Sequence, residues 1–258
     1  ESDGFHLEQQ VTWSRMATLS VVGGVSFDSL HSIPWSTDLS APVDTSGPIK
    51  GKINGTPFDA DFFPVKYTNR AAYLQGQWQV TGRFTATLGA RYDDNSRYGS
   101  TLNPRAGGVL DLKDKGTFKF LYGKAYLAPS PYLSYAHFGS FFYGRFPWES
   151  TSVPERWISF FWRLPNPDLK PIESKSYEVS YRVGLGSFSL HAIGYLTRLK
   201  NLHALSINGE EVQRLYPGNI YKGNEVLDIE IRTNRGKQRN TGGTLKLDYL
   251  KLFGGDRR

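Results

Sequence analysis

The feature that most constrains the fold of this chain is a repeated alternation of apolar and polar residues. In residues 68–80 and 83–93 the even positions are mainly apolar and the odd positions mainly polar, and 174–183 and 244–249 show the same pattern with the opposite parity. Successive side chains of a strand point to opposite faces, so this period predicts β-strands between an apolar and a polar medium. Weaker alternation elsewhere brings the total to about nine predicted strands.

The connections between these predicted strands alternate between short and long. Short turns are predicted at Ser14–Arg15, Val80–Arg83, Asp114–Gly116 and Gly184–Gly186. Long loops are predicted at about 32–66, 127–172 and 200–233. Outer-membrane barrels show this pattern, since their periplasmic turns are short and their outer loops are longer.

Aromatic residues gather on the apolar face beside the short turns. The residues concerned are Trp13, Trp78, Phe84, Phe118, Tyr181, Phe188 and Tyr249. A ring of aromatic side chains at one level suits the boundary between membrane and water, whereas the core of a soluble sandwich gives no reason for it. The sequence therefore predicts an all-β fold, a transmembrane antiparallel β-barrel.

The opposite face of the predicted strands is polar and charged. The residues predicted to face the lumen are Gln75, Gln77, Arg91, Glu178 and Arg182. Burying unpaired charges in the dry core of a sandwich would cost several kcal/mol each. A polar face of this kind favours a wide barrel whose lumen is filled with water or with another domain.

Composition excludes several classes of function. The chain has no cysteine, so it holds no disulfide and no thiolate metal site, and its histidines show no ligand spacing. No nucleophile elbow, paired carboxylates or phosphate-binding loop is present, so we expect no enzyme, cofactor or metal. The net charge is +7 without a basic run. We therefore expect attraction to anionic lipopolysaccharide or ligand and no nucleic-acid binding.

Four motifs in a fixed order resemble a known family. They lie at 101–110, 118–132, 166–171 (Asn166-Pro-Asp-Leu-Lys-Pro171) and 173–182, with a further similar stretch at 234–247. This order is similar to the barrel of TonB-dependent outer-membrane receptors. The resemblance implies that residues 1–258 are part of one barrel domain, about nine strands of a larger barrel of 22 strands. It also implies that the plug domain lies outside this chain.

The resemblance implies an uptake function in the outer membrane of a Gram-negative cell. Receptors of this family take up scarce nutrients such as ferric siderophores, cobalamin or glycans, with TonB acting through the plug. The expected partners are outer-membrane lipid, lipopolysaccharide, TonB and a small-molecule or glycan ligand, with other outer-membrane proteins as further candidates. Two alternatives stay open: a structural or scaffolding barrel in a membrane assembly, and a passive porin.

The predicted loop at 127–172 carries the candidate ligand-binding residues. These are Tyr132, Phe142, Tyr143, Arg145, Trp148, Arg156 and Trp157. The aromatic rings would stack on a flat ligand and the arginines would pair with its anionic groups. The alternative is that this loop buries its own aromatic residues or packs against a partner or lipid A. A second alternative concerns Asp93-Asp94-Asn95, which either binds a hard cation or solvates a strand tip.

Overall fold

The computed structural model describes residues 2–32, 48–53, 56–61, 65–136, 138–139, 141–166 and 168–250. The first strands are β1 (Ser2–Met16), β2 (Leu19–Ser32), β3 (Pro48–Ile53), β4 (Thr56–Asp61), β5 (Val65–Gln79), β6 (Phe84–Asn95), β7 (Gly99–Asp111) and β8 (Thr117–Leu127). Helix α1 (Pro131–Tyr135) follows, then β9 (Phe138–Gly139), β10 (Phe142–Gly144), β11 (Arg156–Arg163), β12 (Ile172–Leu185) and β13 (Phe188–Ile207). The chain continues with α2 (Glu210–Leu215), β14 (Ile220–Tyr221) and β15 (Asn224–Tyr249). None of the described helices is long and apolar enough to cross a membrane.

The long strands form one antiparallel sheet in which neighbours in sequence are neighbours in space. Its order is β1-β2-β5-β6-β7-β8-β12-β13-β15. The predicted barrel strands and their all-β antiparallel arrangement are confirmed. The predicted loop at about 32–66 falls largely outside the described residues, and within it the backbone of β3 and β4 forms a separate hairpin.

The register carries one apolar face across the whole sheet. For example, Phe120 lies opposite Val179, and Val179 lies opposite Gly194 on the next strand. Large apolar side chains on this face are open to the surroundings: Leu88 is 66% exposed and Leu245 is 73% exposed. An exposed apolar surface of this extent is what a lipid-facing barrel wall requires.

Aromatic residues mark the short-turn edge of that face, as predicted. Phe118 lies opposite Tyr181. Phe188 lies opposite Tyr249, with their ring centroids 4.7 Å apart. The pairs share one level because their strands start or end at the same turns, so they form part of an aromatic band at a membrane boundary.

Two connections differ from the sequence prediction. The first turn lies at Ala17–Thr18, because the polar residues Ser14 and Arg15 form a bulge within the β1–β2 ladder. The predicted loop at 200–233 begins and ends as strand, since β13 and β15 stay paired as far as Ile207 and Glu230. Polar residues on both faces of that extension hide it from a search for alternation.

The connection from β8 to β12 adds strands beside the outer end of β15. Strand β11 pairs in parallel with β15, for instance Ile158 with Glu225, and β10 and β9 pair with β11. We call β9, β10, β11, the connection between β10 and β11, β14, α2 and the outer ends of β13 and β15 the outer lobe. Its own core consists of Trp162, Leu164, Val212, Val226, Ile229 and Ile231. The lobe is therefore a packed unit above the membrane-spanning sheet.

Candidate functional site

The five residues predicted to face the lumen lie on one polar face. Their partners across the ladders are Gly89 for Gln75, Thr87 for Gln77, Tyr73 for Arg91, Leu121 for Glu178 and Thr117 for Arg182. The register is continuous across β5, β6, β7, β8 and β12, so these positions share the face opposite the lipid-facing side chains.

Asp93 is the centre of a hydrogen-bond network on this polar face. It is 3% exposed. Its carboxylate accepts hydrogen bonds from Arg91 Nε at 3.0 Å and from Asn69 Nδ2 at 3.3 Å. Asn103 Nδ2 also donates to it, at 3.4 Å. Arg91 in turn donates to Ser26 Oγ at 3.1 Å. A buried carboxylate with a cation and several donors around it is well compensated for its lost hydration.

The network continues toward β1 through Asp28. Asn69 Nδ2 lies 3.5 Å from Asp28 Oδ2, and His6 Nδ1 lies 2.5 Å from Asp28 Oδ1. Polar side chains from five neighbouring strands are thus connected. The sequence interpretations of Asp93-Asp94-Asn95 as a cation site or a solvated strand tip are wrong for Asp93, which is buried against Arg91. The sequence did contain a signal for this contact, because Asp93 and Arg91 are two residues apart in one strand and so their side chains lie on the same face.

Replacing Asp93 with alanine should destabilise the outer half of the sheet. Arg91, Asn69 and Asn103 would lose an acceptor, and a lost buried partner of this kind costs about 1–3 kcal/mol. Asp94→Ala is the matched control, because Asp94 is exposed on the other face. Thermal unfolding of the protein in detergent measures both. Equal melting temperatures for the two variants would contradict a structural role for the network.

Tyr73 bridges two strands over a glycine on the same face. Its hydroxyl lies 2.8 Å from both Glu8 Oε1 and Gln10 Oε1 on β1. The ring crosses β2 at Gly24, where a Cβ would lie 2.6 Å from the Tyr73 hydroxyl oxygen. Glycine is required there because any side chain would displace the ring.

Four of the five predicted ligand-binding aromatic residues, Phe142, Tyr143, Trp148 and Trp157, lie in the outer lobe and pack in pairs. Phe142 stacks on Phe160 at 5.0 Å between ring centroids, and Trp148 stacks on Phe146 at 4.9 Å. Tyr143 and Trp157 meet edge to face at 5.7 Å. Each pair leaves a large ring open to solvent: Phe160 is 43% exposed in the first pair, Trp148 62% in the second, and Tyr143 60% and Trp157 47% in the third. Tyr132 stands apart at α1, where Arg163 Nη1 donates to its hydroxyl at 3.1 Å.

The two predicted ligand-binding arginines are occupied by carboxylates of the chain itself. Arg156 pairs with Glu149 at 2.7 Å and with Glu225 at 2.6 Å. The Arg156 hydrogen bonds hold the pKa of the Glu149 carboxyl below its usual range. Arg145 donates to the Val153 carbonyl and pairs with Glu155 at 3.3 Å. These guanidinium groups brace the lobe by pairing with its own acidic residues.

The Asn166-Pro-Asp-Leu-Lys-Pro171 segment fixes the return of the chain to β12. Lys170 N donates to Asn234 Oδ1 at 2.7 Å, and Asn234 Nδ2 donates to the Asn201 carbonyl at 2.9 Å. Asn166 Nδ2 donates to the Arg232 carbonyl at 2.8 Å.

Beside this segment lies a polar cleft of about 670 Å³. Its charged lining residues are Asp168, Lys170, Glu210, Glu211, Arg214 and Arg235.

No group of acidic residues and histidines that could hold a metal ion occurs in the described part of the chain.

A family model described as "TonB dependent receptor-like, beta-barrel" matches residues 3–255. Over 128 residues, 48% of this chain, the sequence is 27% identical to the "Iron-regulated outer membrane virulence protein" of Vibrio cholerae. That stretch is 16% of the relative.

Solved structures share the fold at low sequence identity. The siderophore receptor PirA of Pseudomonas aeruginosa gives a TM-score of 0.60 at 17% identity, over 99% of this chain and 40% of the receptor. A mutant of the ferric enterobactin receptor PfeA of the same organism gives 0.63 at 13% identity, over 94% of this chain and 32% of the receptor. The chain therefore spans less than half the length of each of these proteins.

Proposed function

The chain belongs to the family of TonB-dependent receptor β-barrels, and from this premise we propose that it forms part of an outer-membrane receptor that takes up a ferric siderophore. The apolar face of the sheet contacts the lipid of the outer membrane. Residues 1–258 are part of one barrel domain in this proposal. A plug elsewhere in the receptor fills the lumen against the polar face and receives the energy supplied by TonB.

The exposed rings of the outer lobe carry the proposal for the ligand. Tyr143, Trp148 and Trp157 stand open to solvent, whereas Arg145 and Arg156 are neutralised within the lobe. Such a surface favours stacking on flat chelating groups over pairing with a highly charged ligand. The siderophore receptors among the similar structures, and the iron-regulated relative, support the choice of a ferric siderophore over cobalamin or a glycan.

Removing two exposed tryptophans should weaken siderophore binding. Stacked aromatic contacts contribute about 0.5–1.5 kcal/mol each, so Trp148→Ala with Trp157→Ala should raise the Kd about tenfold. The measurement is binding of ferric siderophores to the full-length receptor, followed by uptake of radioactive iron into cells. The matched control is Trp13→Ala with Trp78→Ala, which removes two rings at the short-turn edge.

Three results would contradict the proposal. Unchanged siderophore affinity in the variant with Trp148→Ala and Trp157→Ala would show that the exposed rings do not bind the ligand. Iron uptake that persists when the proton gradient is collapsed would indicate a passive porin. A full-length protein that binds no siderophore and conducts no solute would indicate a scaffold.

A further inference from the structure

The exposed ring of Trp148 stands at the tip of a short turn. Residues Phe146, Pro147, Trp148 and Glu149 form this turn, in which Glu149 N donates to the Phe146 carbonyl at 3.0 Å. Proline suits the second position of a β-turn because its ring fixes φ, so the sequence itself favours the bend. Ordering an exposed side chain costs conformational entropy. The Trp148 ring therefore keeps one orientation only if its neighbours hold it.

The ring of Phe146 supports the ring of Trp148. The two rings are nearly parallel, with 4.9 Å between their centroids and 3° between their planes. Phe146 is 3% exposed, and its ring also meets Phe160 edge to face at 5.5 Å. A buried aromatic ring with neighbours on more than one side has little freedom to move. The orientation of Trp148 thus depends on the position of Phe146.

Arg156 holds the turn through the carboxylate of Glu149. Its Nη1 and Nη2 atoms donate to the two carboxylate oxygens of Glu149, at 3.0 Å and 2.7 Å. The same carboxylate accepts a hydrogen bond from Phe146 N at 2.8 Å. The Arg156 Cζ atom also lies 5.8 Å from the centroid of the Phe146 ring. A bidentate pair fixes geometry as well as contributing energy, so Arg156 fixes both ends of the turn.

A second carboxylate anchors Arg156 to the sheet. Arg156 Nη2 donates to Glu225 Oε2 at 2.6 Å, and Glu225 lies opposite Ile158 in the β11–β15 ladder. One guanidinium group is thus paired with two carboxylates, whose combined negative charge exceeds its own positive charge. Arg156 offers no free positive charge to an anionic ligand, so its contribution to a ligand site is indirect.

We propose that Arg156 is a positioning residue: it fixes the turn at 146–149 so that Trp148 presents its ring to the ligand in one orientation. This inference rests on the proposed function, in which the exposed rings bind a ferric siderophore. A ring that is ordered before binding loses less conformational entropy on binding, so the affinity is higher. Lysine would keep the charge of Arg156 without its planar fork, so it should not replace Arg156 in this role.

The first test measures the turn without any ligand. Hydrogen exchange at the amides of Phe146 and Glu149 is followed in the receptor in detergent. Loss of the charge-assisted hydrogen bonds should make this exchange about tenfold faster in both Arg156→Met and Arg156→Lys. The control is Arg214→Met, which removes another arginine of the outer lobe that pairs with a carboxylate, Glu211. Exchange at the turn should be unchanged in the control, and equally slow exchange in the Arg156 variants would overturn the proposal.

The second test is a double-mutant cycle on the affinity for ferric siderophore. Arg156→Met and Trp148→Ala should each raise the Kd about threefold, as expected for one stacked ring. The variant with both changes should also stay near threefold, because Arg156 acts through Trp148. The ring of Trp157 packs on Tyr143 instead. Arg156→Met combined with Trp157→Ala should therefore multiply the two effects to about ninefold.

The cycle separates positioning from other roles of Arg156. A ninefold rise in Kd for Arg156→Met with Trp148→Ala would mean that Arg156 acts on the ligand independently of Trp148, and would overturn the proposal. A rise of only threefold with Trp157→Ala would overturn it as well, because it would mean that the whole lobe had loosened. An unaltered receptor that binds no siderophore would contradict the proposed function, whereas the exchange rates would still show whether Arg156 holds the turn that carries Trp148.

Discussion

Replacing Trp162 with alanine should unfold the outer lobe while the membrane-spanning ladders stay paired. Trp162 is fully buried in the lobe core, where its ring lies 5.1 Å from Phe141 and 4.9 Å from Tyr221. Removing a buried tryptophan costs about 3–5 kcal/mol. The lobe has a small core of its own, so a loss of this size is a large part of its stability.

Limited proteolysis of the receptor in detergent measures this effect. Cleavage within the connection between β8 and β12 should become at least tenfold faster in Trp162→Ala, with the strand content by circular dichroism little changed. Trp148→Ala is the control for loss of a tryptophan, because Trp148 is 62% exposed. Cleavage rates that match between the two variants would contradict the assignment of a separate lobe core.

Replacing Gly116 with alanine should destabilise the barrel wall at its short-turn edge. Gly116 has φ 94° and ψ −167°, a conformation that is costly for any residue with a side chain. A Cβ there would also lie 2.2 Å from the Arg182 carbonyl oxygen on β12. Backbone strain and the clash together should cost more than about 3 kcal/mol. The carbonyl of the adjacent Lys115 accepts a hydrogen bond from the Tyr181 hydroxyl on β12, so the turn cannot move away from β12 freely.

Substitutions at two other glycines distinguish the contribution of backbone strain from that of the steric clash at Gly116. Gly186 has φ 63° with nothing near its missing Cβ, so Gly186→Ala should cost only about 1–2 kcal/mol. Gly184 has open space and no positive φ, so Gly184→Ala should be near neutral. The melting temperature of the receptor should be highest for Gly184→Ala, lower for Gly186→Ala and lowest for Gly116→Ala. An effect at Gly116 no larger than at Gly186 would show that the turn can shift.

The membrane-spanning sheet could be predicted from the sequence because its constraint is simple. Each strand has lipid on one side and a polar environment on the other, so alternation appears directly in residues such as Leu245 and Leu247. Short turns and the aromatic residues beside them then fix where strands begin and end. The order of strands follows because sequential antiparallel strands pair with their neighbours.

The outer lobe could not be predicted in the same way. Strand β11 is buried on both faces at Ile158 and Ser159, so it lacks a period of two. Its partner β15 is remote in sequence, and nothing local specifies a parallel pairing. The sequence predicted Arg145 and Arg156 as ligand contacts in an outer loop. The structure instead pairs both with acidic residues, and Glu225 becomes a neighbour of Arg156 only through the fold.

The parallel pairing of β11 with β15 sets an order of events in folding. We expect Ile158 to pair with Glu225 only after β12, β13 and β15 have formed their ladders, because those strands carry Glu225 to its position in the final sheet. Contacts between remote segments form late, since the entropy of closing the intervening loop opposes them. The connection between β8 and β12 should thus stay open during assembly and be sealed last. The sheet itself acts as the template on which the outer lobe is assembled.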